Sequence, residues 1–115
     1  MRYLIVLNDP PYGTERSYNG LRLAMSLLKH EENAVDVFLM ADAVFCAKAG
    51  QKTPDGYYNL QSMLKPIARK GNVMLCGTCM DARGMQPEEV IEGARRSSMI
   101  ELTEYTMAAD KVLVF

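Results

Sequence analysis

The chain has 115 residues, 49% of them hydrophobic and 23% charged, a composition that suits one ordered domain with its own core and excludes a disordered segment. Thirteen basic residues against fourteen acidic ones leave a net charge of −1, which offers no electrostatic footprint for nucleic acid or an anionic membrane surface. No apolar stretch approaches the roughly 20 residues that span a bilayer, and three cysteines, an odd number, suit a reduced cytoplasm better than a secreted disulfide framework.

Strand and helix patterns alternate along the chain. Tyr3 to Leu7 is a continuous apolar run, the signature of a strand covered on both faces; it is too short for the apolar region of a signal peptide. Asn8-Asp9-Pro10-Pro11-Tyr12-Gly13 must be a loop, because two prolines and a glycine cannot continue the strand. Leu21, Ala24, Met25 and Leu28 follow helical spacing and predict a helix from about Glu15 to Lys29. Val35 to Met40 supplies a second strand and Ala41 to Ala49 a short helix. Gly50 to Tyr58 is loop. Leu60, Met63, Leu64, Ile67 and Ala68 mark another amphipathic helix, which Pro66 should kink or shorten. Val73 to Cys76 is the third strand, Pro87 to Ile91 one helical turn, and Ala94 to Arg96 a brief strand. Met99, Leu102, Tyr105 and Ala109 share one helical face, and Lys111 to Phe115 closes the chain as a last strand. This alternation predicts a three-layer α/β sandwich with a largely parallel sheet, one domain over residues 1–115. Ligands of such sheets meet the carboxyl ends of the strands, where Asn8–Gly13, Asp42 and Cys76–Gly84 should gather.

The chemistry concentrates in Cys76-Gly77-Thr78-Cys79-Met80-Asp81-Ala82-Arg83-Gly84. A Cys-x-x-Cys pair serves as a zinc half-site, as a redox disulfide, or as one reactive thiol with a neighbour. Structural zinc wants four ligands, and the other candidates, Cys46 and His30, stand in no paired ligand motif. A thioredoxin-type pair opens a helix early in its own fold, whereas this pair follows the third strand. A persulfide carrier needs a strand-end thiolate stabilised by backbone N–H groups and nearby positive charge, which Arg83 could add. The remaining alternative is that Cys76 is a small buried hydrophobe. Cys46 reads as packing among alanines, His30 as a solvated helix end, and the nine methionines as core. Asp9, Asp42 and Asp81 read as caps rather than as ligands of a divalent ion, and Arg95-Arg96 as a solvated pair.

The order Asn8…Pro11-Tyr12-Gly13, Asp42-Ala43-Val44, Gly50-Gln51-Lys52, Gly56-Tyr57, Cys76-x-x-Cys79-x-Asp81-x-Arg83-Gly84 and Ala109-Asp110-Lys111-Val112-Leu113 resembles the DsrE/DsrF-like family, within it the small single-domain YchN-type members. The resemblance covers essentially the whole chain. It implies a parallel five-stranded sheet between helices, assembly as a homo-oligomer (trimer or hexamer), and, as in the better-understood branches, relay of sulfur as a cysteine persulfide. The acceptor cysteine of those branches closes the third strand ahead of an Arg-Gly pair and matches Cys76, so the resemblance favours Cys76 over Cys79 as the carrier. Cys79, an extra thiol relative to the relay branches, would intercept the persulfide and release hydrogen sulfide.

The expected function is therefore a sulfurtransferase-like relay with Cys76, Cys79 and Arg83 at its centre and Tyr12, Asp42, Lys52 and Tyr57 at its rim. Its expected partners are sulfur donor and acceptor proteins or small thiols, and no cofactor or metal is called for. A neighbouring subunit would wall the site with the loop Gly56-Tyr57-Tyr58, whose aromatic rings suit interface anchoring. The competing readings are a non-catalytic oligomeric binding module for a small ligand or partner, and a thiol-disulfide redox protein using both cysteines.

Overall fold

A computed structural model describes residues Met1–Phe115. Five strands, β1 (Arg2–Leu7), β2 (Ala34–Leu39), β3 (Asn72–Cys76), β4 (Ala94–Ser97) and β5 (Lys111–Val114), form one sheet in the order β4-β3-β2-β1-β5. Every pairing is parallel, as the alternating pattern predicts. The three central strands carry the apolar runs because both of their faces are covered. Their one buried charge, Asp36, sits at the opposite end of the sheet from the cysteines. It accepts hydrogen bonds from Arg2 Nε at 3.0 Å and Asn72 Nδ2 at 2.7 Å, so its burial leaves no lone carboxylate.

The topology decides which face each helix covers. The chain steps from β1 to β2 to β3 to β4 in one direction across the sheet, and right-handed crossovers put the intervening helices on one face. There α1 (Arg16–Leu27), a 3-10 helix (Ala41–Ala47) and α2 (Leu60–Lys70) bury a cluster of 19 residues that includes Ile5, Leu7, Leu21, Leu39, Leu64 and Leu75. From β4 the chain must return across the whole sheet to β5, so α4 (Met99–Ala108) falls on the other face. That face holds a cluster of only six buried residues: Leu4, Val6, Phe38, Met74, Cys76 and Leu102. A short α3 (Gly77–Ala82) follows β3 directly, and a 3-10 turn occupies Pro87–Glu89. No helix is long and apolar enough to cross a membrane.

Two local expectations change. Pro66 lies inside α2 without shortening it; the carbonyl that loses its partner, that of Ser62 four residues back, is on an exposed residue where water can serve it. Of the predicted face of α4, only Leu102 is buried, while Tyr105 and Ala109 pack at the edge of the smaller cluster and Met99 stays 61% exposed. A helix that covers its sheet alone has no neighbour to bury its flanks.

Candidate functional site

Strand β3 ends at Cys76, and the chain turns at once into α3, with Cys76 as its N-cap. Its sulfur accepts a hydrogen bond from the Cys79 backbone N–H at 3.3 Å and lies 3.3 Å from Thr78 Oγ1. Sulfur here takes the place that a Ser or Asp oxygen usually holds at a helix start. Burial opposes the thiolate, yet hydrogen bonds from the Cys79 and Thr78 side chains and backbones outweigh it and hold Cys76 below the ordinary thiol pKa. Cys79 moves the other way. Burial and its hydrogen bond to Cys76 raise its pKa, and the Ala41 N–H and the charge of Arg83 do not reverse this. The pair is thus graded: as pH rises Cys76 gives up its proton before Cys79 does.

The loop after β2 completes the arrangement. Ala41 adopts φ +50°, an uncommon conformation for a residue with a Cβ, and points its N–H at Cys79 Sγ, 3.2 Å away. Arg83, expected beside Cys76, instead donates to Asp42 Oδ1 at 2.8 Å and to the Cys79 carbonyl at 3.1 Å. Its charge acts on Cys79.

Cys76 is 8% exposed and opens into a cavity of about 290 Å³ lined by Phe38, Met40, Gly77, Thr78, Arg96 and Ser97, with Ser98 and Met99 at its α4 end. The predicted rim residues Tyr12, Asp42, Lys52 and Tyr57 are not among its lining. Tyr12 belongs to the opposite face: its hydroxyl donates to Gln51 Oε1 at 2.6 Å and accepts from the Leu60 N–H, and its ring stacks with Tyr58. Tyr58 also stacks on Tyr18, so of the loop Gly56–Tyr58 only Tyr57 offers an exposed ring, at 69%. Asp42 is engaged by Arg83, and Lys52 is exposed in its loop. The loops Asn8–Gly13 and Gly50–Tyr58 serve the larger core, because the 3-10 helix and α2 that flank the second loop pack on that side of the sheet.

Arg96 is exposed, as a solvated residue should be, and it is also the cation that lines this cavity. It donates from both terminal nitrogens to Asp81, each at 2.8 Å, and the negative charge of Cys76 adds to the hold on its proton. Strand β4 beside β3 sets Ser97 opposite Cys76 and Arg96 opposite Leu75, which places Arg96 at the carboxyl end of β3, where it lines the same cavity as Cys76. Asp9, Asp42 and Asp81, read as caps, each face a different arginine: Arg16, Arg83 and Arg96. Cys46 is packed as expected, and burial pushes its thiol up to about 12.

Comparison with known proteins agrees with this architecture. The chain is 43% identical to the protein YchN of Escherichia coli K12 over 116 residues, spanning 99% of this chain and 98% of that one. The crystal structure of the E. coli YchN protein superposes with a TM-score of 0.93 at 40% identity, covering 99% and 98% of the two chains. A more distant relative, the sulfurtransferase TusD of Buchnera aphidicola, is 26% identical over 128 residues and the full length of both chains. The sequence matches the DsrE/DsrF-like family over residues 1–115, and the chain belongs to that family.

Proposed function

We propose that this protein relays sulfur, accepting it as a persulfide on Cys76 and passing it to a second thiol. The observation that carries the reading is the graded thiol pair: Cys76 below and Cys79 above the ordinary thiol pKa, with the first at a cavity large enough for a small donor. A thiolate beside a protonated thiol is the state needed for attack on a sulfane sulfur. Cys76 Sγ forms a bond to the terminal sulfur of a donor R–S–SH, the donor's S–S bond breaks, and R–S⁻ leaves with the electron pair. Transfer onward repeats the step with an acceptor thiolate. If Cys79 loses its proton before an acceptor arrives, its sulfur attacks Cys76 Sγ, forms the Cys76–Cys79 disulfide and expels HS⁻. Membership of the family and the relationship to a sulfurtransferase support the same chemistry.

In this reading residues 1–115 act as one domain in the cytoplasm, where the thiols stay reduced, and copies of the chain assemble so that a neighbour shields the loaded sulfur. Donor and acceptor are proteins or small thiols. The test is to incubate the protein with a persulfide donor and weigh the peptides. The Cys76 peptide should gain the mass of one sulfur atom; Cys76→Ser should abolish that gain while keeping the fold, and Cys79→Ser should keep it and lengthen its life. Loading lost equally in both variants would point to a dithiol redox mechanism, and an inert Cys76 to a binding module.

A further inference from the structure

The guanidinium of Arg96 lies directly over the start of α3. A Cβ placed on Gly77 would fall 2.8 Å from both Cζ and Nε of Arg96 and 2.9 Å from the Ser97 carbonyl oxygen, so the absence of a side chain at Gly77 is what lets Arg96 come so close. Its partner Asp81 is a surface group: the side chains of Arg96 and Asp81 are 47% and 63% exposed. The pair is bidentate but faces water, so an incoming oxyanion can compete with Asp81 for the same two donors. The polar wall of the cavity continues past Arg96 through Ser97, Ser98 and Thr78. Ser97 Oγ donates to Glu101 and Ser98 Oγ accepts from the Glu101 N–H, while Thr78 Oγ1 stays with the Cys76 sulfur. The cavity therefore joins a nucleophilic sulfur to a planar cation whose present partner is removable.

We propose that Arg96 is the anion-recognition residue of the Cys76 cavity, that Asp81 holds its place in the empty site, and that the ligand is a small anionic sulfur donor bearing a carboxylate or similar oxyanion. The sulfur in that description rests on the relay reading above; the anion site does not. A guanidinium offers two parallel N–H donors that match a carboxylate edge to edge. An incoming oxyanion can exchange with Asp81 one hydrogen bond for another, so the exchange leaves no donor unpaired. A neutral molecule cannot make this exchange, which gives the cavity a charge preference as well as a shape. Once the donor's anionic end is on Arg96, its reactive end is held in the same cavity as Cys76 Sγ.

Two alkylating agents test this without sulfur. Iodoacetate carries a carboxylate and iodoacetamide does not, yet both report the same Cys76 thiolate. The ratio of their rates, read on the Cys76 peptide, cancels any change in how much thiolate is present. Arg96→Gln should lower the iodoacetate-to-iodoacetamide ratio by about fivefold, the size of one unit-charge interaction at contact in water. Asp81→Asn should raise the ratio, because the competing carboxylate is gone. Arg95→Gln, whose partner is Glu101, should leave it unchanged and so control for the loss of a neighbouring positive charge. A flat ratio in Asp81→Asn, or a fall, would mark the pair as a fixed structural contact and overturn the proposal; should Arg96→Gln fail to fold, that arm still decides. Sulfur loading is measured separately. Loading that fails while the ratios shift removes the relay reading and leaves the anion site standing, and flat ratios with intact loading do the reverse.

Discussion

Cys76 and Cys79 divide one proton between them, and the division rests on who donates to whom. The Cys79 N–H and side chain both reach Cys76 Sγ, so removing the side chain alone should take away part of the stabilisation. Cys79→Ala should therefore raise the midpoint of Cys76 alkylation against pH while leaving it below that of a free thiol, because the backbone N–H remains; iodoacetamide rates from pH 6 to 10 measure this. The third thiol works in the opposite sense. Cys46 is folded with a pKa of about 12 against 9.0 when free, so the unfolded chain ionises first as pH rises. Its contribution to stability is complete below about pH 9 and lost progressively toward pH 12, the loss reaching about 1 kcal/mol by pH 10. Denaturant unfolding at pH 8 and pH 10 should show this decline, and Cys46→Ala should flatten it. At this scale local spacing shows the strand-end thiol but not the arginine that shares its cavity. Arg83 is close to Cys76 along the chain but turns to Asp42 and the Cys79 carbonyl. Arg96 is twenty positions away and comes to line the Cys76 cavity because β4 lies beside β3, a relation that local spacing does not carry.

The elements follow from apolar periodicity wherever a face is buried, and their mutual packing sets what each tolerates. Helix α1 meets the sheet at Gly20, where an added Cβ would lie 2.4 Å from Leu7 Cδ2 and 3.2 Å from the Phe115 ring. Alanine is the better helix former by about 1 kcal/mol, but overpacking of this kind costs about 1–3 kcal/mol. Gly20→Ala should lower the melting temperature despite its gain in propensity. Pro66 presents the converse case. It interrupts the hydrogen bonding of α2 without interrupting the helix, so Pro66→Ala should restore a backbone bond and stabilise the fold. The gain should be about 1–2 kcal/mol after allowance for the looser unfolded chain, read as an upward shift in thermal melting. The helix is not shortened at the proline, because packing of Leu60, Leu64 and Ile67 into the core carries it through. α4 was legible as a helix but not as a sparsely covered one, since its loneliness is a property of the return path from β4 to β5.

At the scale of the molecule the two faces of the sheet are unequal, and five of the seven large exposed apolar side chains belong to α4 and β5, on the poorer side. Met99, Ile100 and Met107 of α4 are 61%, 75% and 81% exposed, and Val112 and Val114 of the edge strand β5 are 40% and 66% exposed. Assembly of the chain through this surface would cover them and, through Met99, the mouth of the cavity. Sedimentation should accordingly report a mass several times 12.9 kDa, and Ile100→Glu should reduce it toward that of one chain; a wild-type protein that sediments as a monomer would remove assembly from the account. The same inequality bears on motion. The 19-residue cluster ties α1 and α2 to the sheet, whereas α4 contributes only Leu102 to a cluster of six. Helices with few buried contacts open at lower free energy than the fold as a whole. In hydrogen–deuterium exchange of the unassembled chain, as Ile100→Glu should give, the amides of Met99–Ala108 should become labelled well before those of β1, β2 and β3. Cys76 belongs to the cluster that this ten-residue helix covers and already borders the cavity, so any opening of α4 would widen access to the thiol while the strand that carries it stays anchored from behind.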